Sequence, residues 1–282
     1  MTLKRIAVIL TKMIGEGNFG KVFLGTAEDP RQNGAVIPVA IKSPSADATI
    51  EFEAEMEIMS QLTRLGGHPH IVEVVGCVYG ETPLLVLEFC AGGSLKAALT
   101  AVHTDTKAAH PAIEELTTYG HQVALAMTFL EHHKLLHRDL AARKVLLTEQ
   151  QVCKLADFGL SRTAAGASNY YRRTAGQSAP IPVRWMAPET LDHNVSTIES
   201  DRWSFGVLLW EICSQGSRPY VGVENHEIAQ HVRKGRRLEQ PELCPDAIYT
   251  LMQQCWSAKP EHRPPFVQVA SELQGSLAVS VV

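Results

Sequence analysis

The spacing of apolar residues follows different rules in the two parts of the chain. Roughly the first ninety residues contain short apolar and β-branched runs interrupted by Gly, Pro or Asn, a pattern typical of strands. We predict strands at residues 8–14, 21–25, 36–42, 71–78 and 84–89. Strands this short and this closely spaced indicate a small antiparallel sheet.

One segment inside the sheet region instead has helical spacing. Residues 49–65 place Met56, Met59 and Leu62 on a rough apolar face, and acidic residues crowd the first half. After the Ala-Gly-Gly break at 91–93 the helical period dominates, notably at 113–133 and 201–213. The pattern therefore predicts an α+β protein in which a sheet-rich part meets a mainly helical part at a hinge, residues 88–93.

Size and composition allow this division without requiring it. The chain has 282 residues, more than the roughly 100 to 200 of a typical domain, so one two-lobed unit and two small domains both fit. With 45% apolar and 20% charged residues, the composition is that of a globular protein with a sizeable core.

Charge, cysteine usage and hydropathy narrow the class of protein. The formal net charge of -4 argues against nucleic acid or an anionic membrane as the main partner. The six cysteines lie far apart without a C-x-x-C pair, so we expect reduced thiols rather than disulfides or a zinc site. The early apolar stretch at 6–10 is too short for a signal peptide or a membrane span, and we expect no membrane segment.

A glycine-rich segment lies between the first two predicted strands. Gly15, Gly17 and Gly20 have the spacing G-x-G-x-x-G, with Val22 two residues later. Residues without Cβ let backbone N–H groups approach phosphate oxygens. A plain glycine hairpin would carry the same pattern, and a dinucleotide-binding turn would require a helix after the last glycine. The strand-like residues that follow favour a lid over nucleotide phosphates.

The third predicted strand ends in Val39-Ala40-Ile41-Lys42. A lysine at a strand end is often simply solvated. The helix that follows contains Glu55, one turn before the apolar Met59, where it can meet Lys42. A Lys–Glu pair of this kind would hold the ammonium against the α- and β-phosphates of a nucleotide.

The segment His137-Arg138-Asp139-Leu140-Ala141-Ala142-Arg143 resembles the catalytic loop of protein tyrosine kinases. The resemblance implies that Asp139 orients the attacking hydroxyl group and accepts its proton. It also implies that Arg143 supplies a cation beside this carboxylate, where serine/threonine kinases usually have a lysine two residues after the Asp.

Two further motifs carry the same resemblance. Asp157-Phe158-Gly159 implies that Asp157 holds Mg²⁺, and that Phe158 packs beneath the Glu55 helix as a structural residue together with His137 and Met59. Residues 182–189, PVRWMAPE, resemble the tyrosine kinase loop that forms a platform for the phenol ring.

Two structural contacts in the helical part follow from the resemblance as well. Glu189 is expected to form an ion pair with Arg263, and Asp201 to contact the catalytic loop. Arg202 stands where the family usually has an apolar residue, and the sequence leaves the surroundings of its charge open.

Six motifs in order between residues 8 and 275 imply the bilobal protein kinase fold. Its expected parts are an N-lobe at 8–88, the hinge at 88–93, a C-lobe at 94–275 and a C-terminal tail at 276–282. The implied cofactors are ATP and Mg²⁺. The residues expected to contact the nucleotide are Gly15, Gly17, Gly20, Val22, Ala40, Lys42, Glu88 and Cys90, with Leu87 at the rear of the pocket.

The implied reaction is transfer of the γ-phosphoryl group of ATP to tyrosine hydroxyls of protein substrates, in signal transduction. A homodimer for trans-phosphorylation is compatible with it. We expect an intracellular location, either in the cytoplasm or on the cytoplasmic face of a membrane if the parent protein is a receptor. Arg143 and Arg184-Trp185 disfavour serine/threonine specificity.

Tyr170 and Tyr171 lie in a small, polar segment, 164–176, that is typical of a mobile loop. They could be inert exposed tyrosines. The sharper hypothesis is that both are activation-loop phosphorylation sites, because an added phosphate could form charge-assisted bonds to Arg138 and order the segment.

Lys144 departs from the family pattern. Five residues after the catalytic Asp the family has an asparagine whose carbonyl oxygen binds a second Mg²⁺, whereas a lysine offers no oxygen and adds a positive charge. Its stem could swing out, or its ammonium could replace the missing metal. Two interpretations follow: a tyrosine kinase that works with a single Mg²⁺, or a nucleotide-binding pseudokinase that acts as a scaffold or allosteric partner.

Overall fold

The computed structural model describes residues 6–17, 20–29, 34–45, 48–104, 111–163, 170–172 and 182–279. A five-stranded antiparallel sheet forms the first lobe, in the order β1-β2-β3-β5-β4. Its strands are β1 (Val8–Gly17), β2 (Gly20–Glu28), β3 (Val36–Pro44), β4 (Val74–Val78) and β5 (Leu84–Glu88). Helix α1 (Thr49–Arg64) lies between β3 and β4 in the chain and buries Phe52, Ile58, Met59 and Leu62.

The second lobe is helical. Its helices are α2 (Leu95–Thr104), α3 (Ile113–His132), α4 (Pro188–His193), α5 (Ile198–Cys213), α6 (Ile228–Arg233), α7 (Asp246–Cys255) and α8 (Phe266–Val279). Short strands join its loops: β6 (Gly93–Ser94), β7 (Leu135–Leu136), β8 (Val145–Leu147), β9 (Cys153–Leu155), β10 (Arg162–Thr163), β11 (Tyr171–Arg172) and β12 (Val195–Ser196). They pair as β6-β8-β9, β7-β10 and β11-β12. The predicted α+β bilobal fold is confirmed.

The fourth predicted strand starts too early. The apolar run at 71–78 suggested one strand, but β4 begins at Val74. Ile71 forms only an isolated bridge to Leu155, and the N–H of Val72 donates to the carbonyl of Leu155 at 2.9 Å. Ile71 and Val72 are apolar because they are buried in the core cluster that also contains Leu155, not because they belong to the sheet.

Helix α5 begins three residues before the predicted start at 201. Thr197 caps it: its hydroxyl accepts a hydrogen bond from the N–H of Ser200, and the Ser200 hydroxyl accepts one from the N–H of Thr197. This reciprocal capping satisfies two N–H groups that a helix start otherwise leaves unpaired. It fixes the turn in which Asp201 lies.

The core joins the two lobes. The apolar face predicted for the 113–133 helix is buried in α3, at Leu116, Val123, Met127 and Leu130. Each of the six cysteines is a buried free thiol. Among the helices of the described residues, none is both long enough and apolar enough to cross a bilayer.

Two arginines are held by carboxylates in the helical lobe. Arg263 forms the predicted ion pair with Glu189, at 2.6 and 2.9 Å, and its guanidinium lies 5.2 Å from the centre of the Trp203 ring. The charge of Arg202 does not extend into solvent, because its guanidinium pairs with Glu131. Glu131 also accepts the N–H of Phe266 at 2.9 Å, which connects α3, α5 and α8.

Replacing Arg263 should test whether this anchoring is structural. Its side chain is fully buried, so Arg263→Met leaves the Glu189 carboxylate without its partner. We expect a loss of about 3 to 5 kcal/mol in the free energy of unfolding, measured by denaturant unfolding. The matched control is Arg233→Met, because Arg233 pairs with Asp192 on the surface, and it should unfold close to wild type. Equal stability of the two variants would contradict the prediction.

Candidate active site

A cleft of about 1040 Å³ lies between the two lobes. Its wall is built from β1, β2 and β3, the hinge after β5, and the loops on either side of β8 and β9. The residues predicted to bind nucleotide or to act in catalysis line this one cleft: Gly15, Gly17, Gly20, Val22, Ala40, Lys42, Glu55, Glu88, Cys90, Asp139, Arg143 and Asp157. Residues far apart in the sequence therefore meet at a single site.

The glycine-rich segment forms the top of the cleft. β1 and β2 pair as far as Gly17 and Gly20, and the two residues between them, Asn18 and Phe19, lie outside the described residues. Gly20 has φ +139°, and a Cβ there would lie 1.9 Å from the carbonyl oxygen of Ser43 in β3. Only glycine fits this backbone geometry, because a side chain would collide with the neighbouring strand.

Lys42 joins the sheet, helix α1 and the Asp157 loop. Its Nζ lies 2.7 and 2.6 Å from the two carboxylate oxygens of Glu55 and 2.9 Å from Oδ1 of Asp157. Burial alone would lower the pKa of Lys42, but the negative charges of Glu55 and Asp157 outweigh it and raise the pKa. The lysine is therefore a fixed positive charge on the cleft wall.

Asp157 is placed by an unusual backbone turn. Its φ of +63° is in the left-handed region, which a non-glycine residue adopts at some cost in strain. The next residue, Phe158, is buried, and its ring lies 5.2 Å from that of His137 in an edge-to-face contact. Burial alone would raise the pKa of Asp157, but Lys42 and Lys144 outweigh it and hold the pKa well below its usual range.

The catalytic loop is attached to helix α5 through Asp201. The carboxylate of Asp201 accepts the N–H of His137 at 2.7 Å and the N–H of Arg138 at 2.9 Å. Burial raises the pKa of Asp201 to about 6, against the effect of these two N–H donors. The contact predicted for Asp201 is present, and it holds Arg138 at a φ of +68°.

A second buried acid on the same helix was not predicted. Glu211 accepts the N–H of Ala142 at 2.9 Å and the indole N–H of Trp185 at 2.8 Å. It therefore ties the catalytic loop to the 182–189 segment. In the sequence Glu211 is a single acid within an apolar stretch of a predicted helix. Such a position indicates a functional contact, because an ionised side chain inside a buried helix requires hydrogen-bond partners.

Asp139 faces the cleft with a cation on each side. Its Oδ1 accepts a hydrogen bond from the guanidinium of Arg143, which lies 4.4 Å above the Trp185 ring. Its Oδ2 lies 3.1 Å from Nζ of Lys144. The ring of Trp185 supports Arg143 from below, so the guanidinium is held beside the carboxylate.

Lys144 points into the site. Its Nζ contacts Oδ2 of Asp157 as well as Oδ2 of Asp139, and only 15% of its side chain is exposed. Its backbone is fixed, because its carbonyl accepts the N–H of Ala156 at 2.8 Å. Burial alone would lower the pKa of Lys144, but Asp157 and Asp139 outweigh it and raise the pKa. Of the two arrangements left open by the sequence, the structure has the inward one.

The donor set does not fit a pair of magnesium ions. Mg²⁺ requires oxygen ligands in near-octahedral geometry, and the expected amide oxygen at position 144 is replaced by an ammonium. Both oxygens of Asp139 and both of Asp157 already contact cationic side chains. Among the described residues, no group of three or more His, Cys, Asp or Glu side chains has the arrangement of a metal site.

The 182–189 segment is held from below by Arg184. This arginine is buried and donates to the carbonyls of Pro219 and Tyr220, each at 2.8 Å, and to Oδ1 of Asn225 at 2.9 Å. Arg184 therefore connects the segment to residues 219–225. The segment lines the cleft next to Arg143.

Of the two loop tyrosines, Tyr171 packs against arginine side chains. It pairs with Ser196 of β12, and the guanidinium groups of Arg138 and Arg162 lie 4.0 and 5.7 Å from its ring centre. Tyr170 is 40% exposed. The rest of the predicted mobile loop, residues 164–169 and 173–176, lies outside the described residues.

The hinge has charged support that the sequence did not indicate. The Glu88 carboxylate accepts the N–H of Glu73 at 2.7 Å and lies 2.8 Å from Nζ of Lys154. The side chain of Glu88 is therefore engaged by Glu73 and Lys154, and Glu88 is one of the residues that line the cleft. Lys154 belongs to β9, so this contact also joins the two lobes.

A sheet lobe and a helical lobe around a cleft with a Lys–Glu–Asp ion-pair network and a second Asp opposite define a protein kinase domain. The chain belongs to the family of protein tyrosine and serine/threonine kinases, whose family model matches residues 8–273.

Curated relatives are receptors much longer than this chain. The fibroblast growth factor receptor 1 of Pleurodeles waltl is 37% identical over 98% of this chain and 35% of its own length. The insulin-like growth factor 1 receptor of Xenopus laevis is 35% identical over 97% of this chain and 20% of its own length. The tyrosine-protein kinase receptor torso of Bombyx mori is 34% identical over 96% of this chain and 38% of its own length.

The buried His137 should make stability depend on pH. Burial lowers its pKa to about 4, whereas an unfolded histidine titrates near about 6.5. Between these values the unfolded state binds a proton that the folded state does not, so the contribution of His137 to stability is full above the unfolded pKa and is lost as the pH falls. Replacement by Phe keeps the ring against Phe158 and removes the titration.

We expect the free energy of unfolding of wild type, relative to His137→Phe, to fall by roughly 1 kcal/mol per pH unit between about pH 6 and 5. Denaturant unfolding of both proteins at each pH measures this difference. Asp201, whose pKa is raised to about 6, makes the folded state more stable as the pH falls. This contribution is the same in wild type and in His137→Phe, so it cancels in the difference. His193→Phe, at an exposed position, controls for the added phenyl ring. A difference independent of pH would show that His137 does not titrate as stated.

Proposed function

We propose that this domain transfers the γ-phosphoryl group of ATP to tyrosine hydroxyl groups of protein substrates. The observation that carries the proposal is the contact of Lys42 with both Glu55 and Asp157, in the same cleft as Asp139. A lysine held by a buried glutamate and aimed at a second acid is the arrangement that kinases use to position nucleotide phosphates. The family assignment supports the same activity.

Each residue has a role in this proposal. The backbone of Glu88 and Cys90 contacts the adenine, the strands that carry Gly15, Gly17 and Gly20 cover the phosphates, and Val22 and Ala40 pack on the base. Lys42 contacts phosphate oxygens, and Glu55 holds it in place. Asp139 orients the substrate hydroxyl and accepts its proton. No step of the proposal passes through a metal ion, because the donors present do not match the expected pair of sites.

Tyrosine specificity is supported by Arg143. Its guanidinium lies 4.4 Å from the centre of the Trp185 ring while it contacts Asp139. The cleft extends along residues 182–185, where a long, flat side chain could lie and reach the carboxylate. The relative torso is named as a tyrosine-protein kinase receptor. A serine or threonine hydroxyl lies closer to its own backbone, so a substrate of that kind would have to approach Asp139 more deeply.

A nucleotide-binding scaffold is the second candidate. It is favoured by Lys144, which contacts both Asp139 and Asp157. If the ammonium stays on Asp139 after nucleotide binds, that carboxylate is a weaker proton acceptor, and the domain would act as a pseudokinase with a scaffold or allosteric role.

The chain spans between 20 and 38% of the length of the three relatives. The kind of protein to which this domain belongs is therefore a proposal as well. We propose an intracellular domain that acts in signalling, either in a receptor or in a cytoplasmic kinase. Its buried free thiols fit a reducing compartment. Trans-phosphorylation between two copies would supply the first phosphate on the loop.

A transfer assay separates the two candidates. Purified wild-type protein, supplied with ATP and MgCl₂, should phosphorylate a tyrosine peptide, and Asp139→Asn should reduce the rate by about a hundredfold or more because it removes the proton acceptor. Phosphoamino-acid analysis should identify phosphotyrosine. Wild-type signal no higher than that of Asp139→Asn, together with activity in Lys144→Asn, would exclude the kinase activity and leave the nucleotide-binding scaffold.

Regulation through the loop tyrosines can be tested on the same protein. Phosphate on Tyr171 would lie close to Arg138 and Arg162, and charge-assisted bonds to them would order the loop. Preincubation with ATP should therefore raise the initial rate of wild type several-fold, and the double variant Tyr170→Phe, Tyr171→Phe should not respond. Tyr79→Phe, which changes an exposed tyrosine of the other lobe, should respond like wild type. Activation of the double variant would rule out this role.

A further inference from the structure

The six charged side chains around the phosphate end of the cleft balance one another. We call them the charged cluster: Lys42, Glu55, Asp139, Arg143, Lys144 and Asp157. Three of them are cations and three are carboxylates. With the asparagine usual in the family at position 144, the same cluster would have one negative charge in excess, which favours the binding of a cation. In this chain a side chain supplies that positive charge.

The ammonium of Lys144 lies where it bridges the two acids. It is 3.1 Å from Oδ2 of Asp139 and in direct contact with Oδ2 of Asp157. Lys42 takes the other oxygen of Asp157 at 2.9 Å, and Arg143 takes the other oxygen of Asp139. A divalent cation could reach either carboxylate only after a cationic side chain had left it.

The position of Lys144 is set by the fold. Its N–H donates to the carbonyl of Ala141 at 2.9 Å, and its carbonyl accepts the N–H of Ala156 at 2.8 Å. The first contact closes the short helical turn Ala142–Lys144, and the second ties that turn to the residue next to Asp157. The side chain is mostly buried, so its ammonium has few other partners to move to.

We propose that ATP binds in this cleft without a divalent cation, and that Lys144 provides, between Asp139 and Asp157, the positive charge that contacts the phosphates. The proposal rests on the nucleotide site of the proposed function but not on phosphate transfer. An ammonium has three N–H donors, so Lys144 can keep both carboxylates and still donate to a phosphate oxygen. Lys42 contributes a second ammonium on the other side of Asp157.

Nucleotide affinity with and without metal tests the proposal. Binding of a fluorescent ATP analogue to the purified chain, and its competition by unlabelled ATP, is measured in excess EDTA and in excess MgCl₂. For wild type we expect dissociation constants within about threefold of each other, a difference below the tenfold step that corresponds to about 1.4 kcal/mol. Wild-type binding that is tenfold or more tighter with MgCl₂, or that is absent in EDTA, would overturn the proposal.

Variants at position 144 assign the effect to this residue. Lys144→Met keeps a chain of similar length without the charge, and should weaken binding in EDTA by about tenfold or more. Lys144→Asn restores an amide oxygen, and should bind at least about tenfold more tightly with MgCl₂ than in EDTA. Lys234→Asn, on the exposed end of α6, should match wild type. Equal behaviour of wild type and both position 144 variants would contradict the assignment to Lys144.

The result is distinguishable from the outcome of the transfer assay. Metal-independent binding without peptide phosphorylation would leave this proposal standing and remove the kinase activity. Peptide phosphorylation together with nucleotide binding that requires MgCl₂ would overturn this proposal and leave the kinase activity standing. The comparison of wild type in EDTA and in MgCl₂ requires no substitution, so it decides the proposal even where a variant fails to fold. Thermal unfolding of each variant establishes that it is folded.

Discussion

The contact of one ammonium group with two carboxylates helps to fix the position of one lobe relative to the other. Lys42 reaches Glu55, 13 residues away, and Asp157, 115 residues away. Because these charges are largely removed from water, separating any one of them leaves a buried charge without a partner, which is strongly unfavourable. Movement of α1, of β3 or of the Asp157 turn therefore disturbs the other two.

Helix α5 has the corresponding role beneath the cleft. Asp201 and Glu211 are both buried, and burial of a carboxylate lowers stability unless hydrogen bonds offset it. Each accepts backbone N–H groups from the catalytic loop, so the loop is bound to α5 at both of its ends. Glu211 also holds Trp185, on which Arg143 lies. The position of Asp139 is thus determined by a helix whose residues never reach the cleft.

Residues that belong to a recognisable motif could be predicted from the sequence. Contacts between residues outside the motifs could not, because only the folded chain brings them together. The pairing of Lys42 with Glu55 follows from charge and from the position of Glu55 on its helix, whereas the pairing of Glu189 with Arg263 follows from the family resemblance. The predicted start of β4 was wrong because Ile71 and Val72 are buried between the lobes without belonging to the sheet. An apolar run looks the same in the sequence whether it is buried in this way or paired in a strand. Glu211 and Lys154 were missed because their partners are remote in sequence.

The direction of Lys144 could not be derived from the sequence, because it depends on which oxygens lie within reach of its stem. In the structure the ammonium reaches both Asp139 and Asp157 and is largely buried between them. A tethered ammonium differs from a divalent ion in two respects. It carries half the charge, so it polarises a phosphate less. It also cannot dissociate, so its occupancy does not depend on the free concentration of any cation. A site built in this way attracts phosphate less strongly than a bound divalent ion would, but this attraction does not depend on the free concentration of divalent cation.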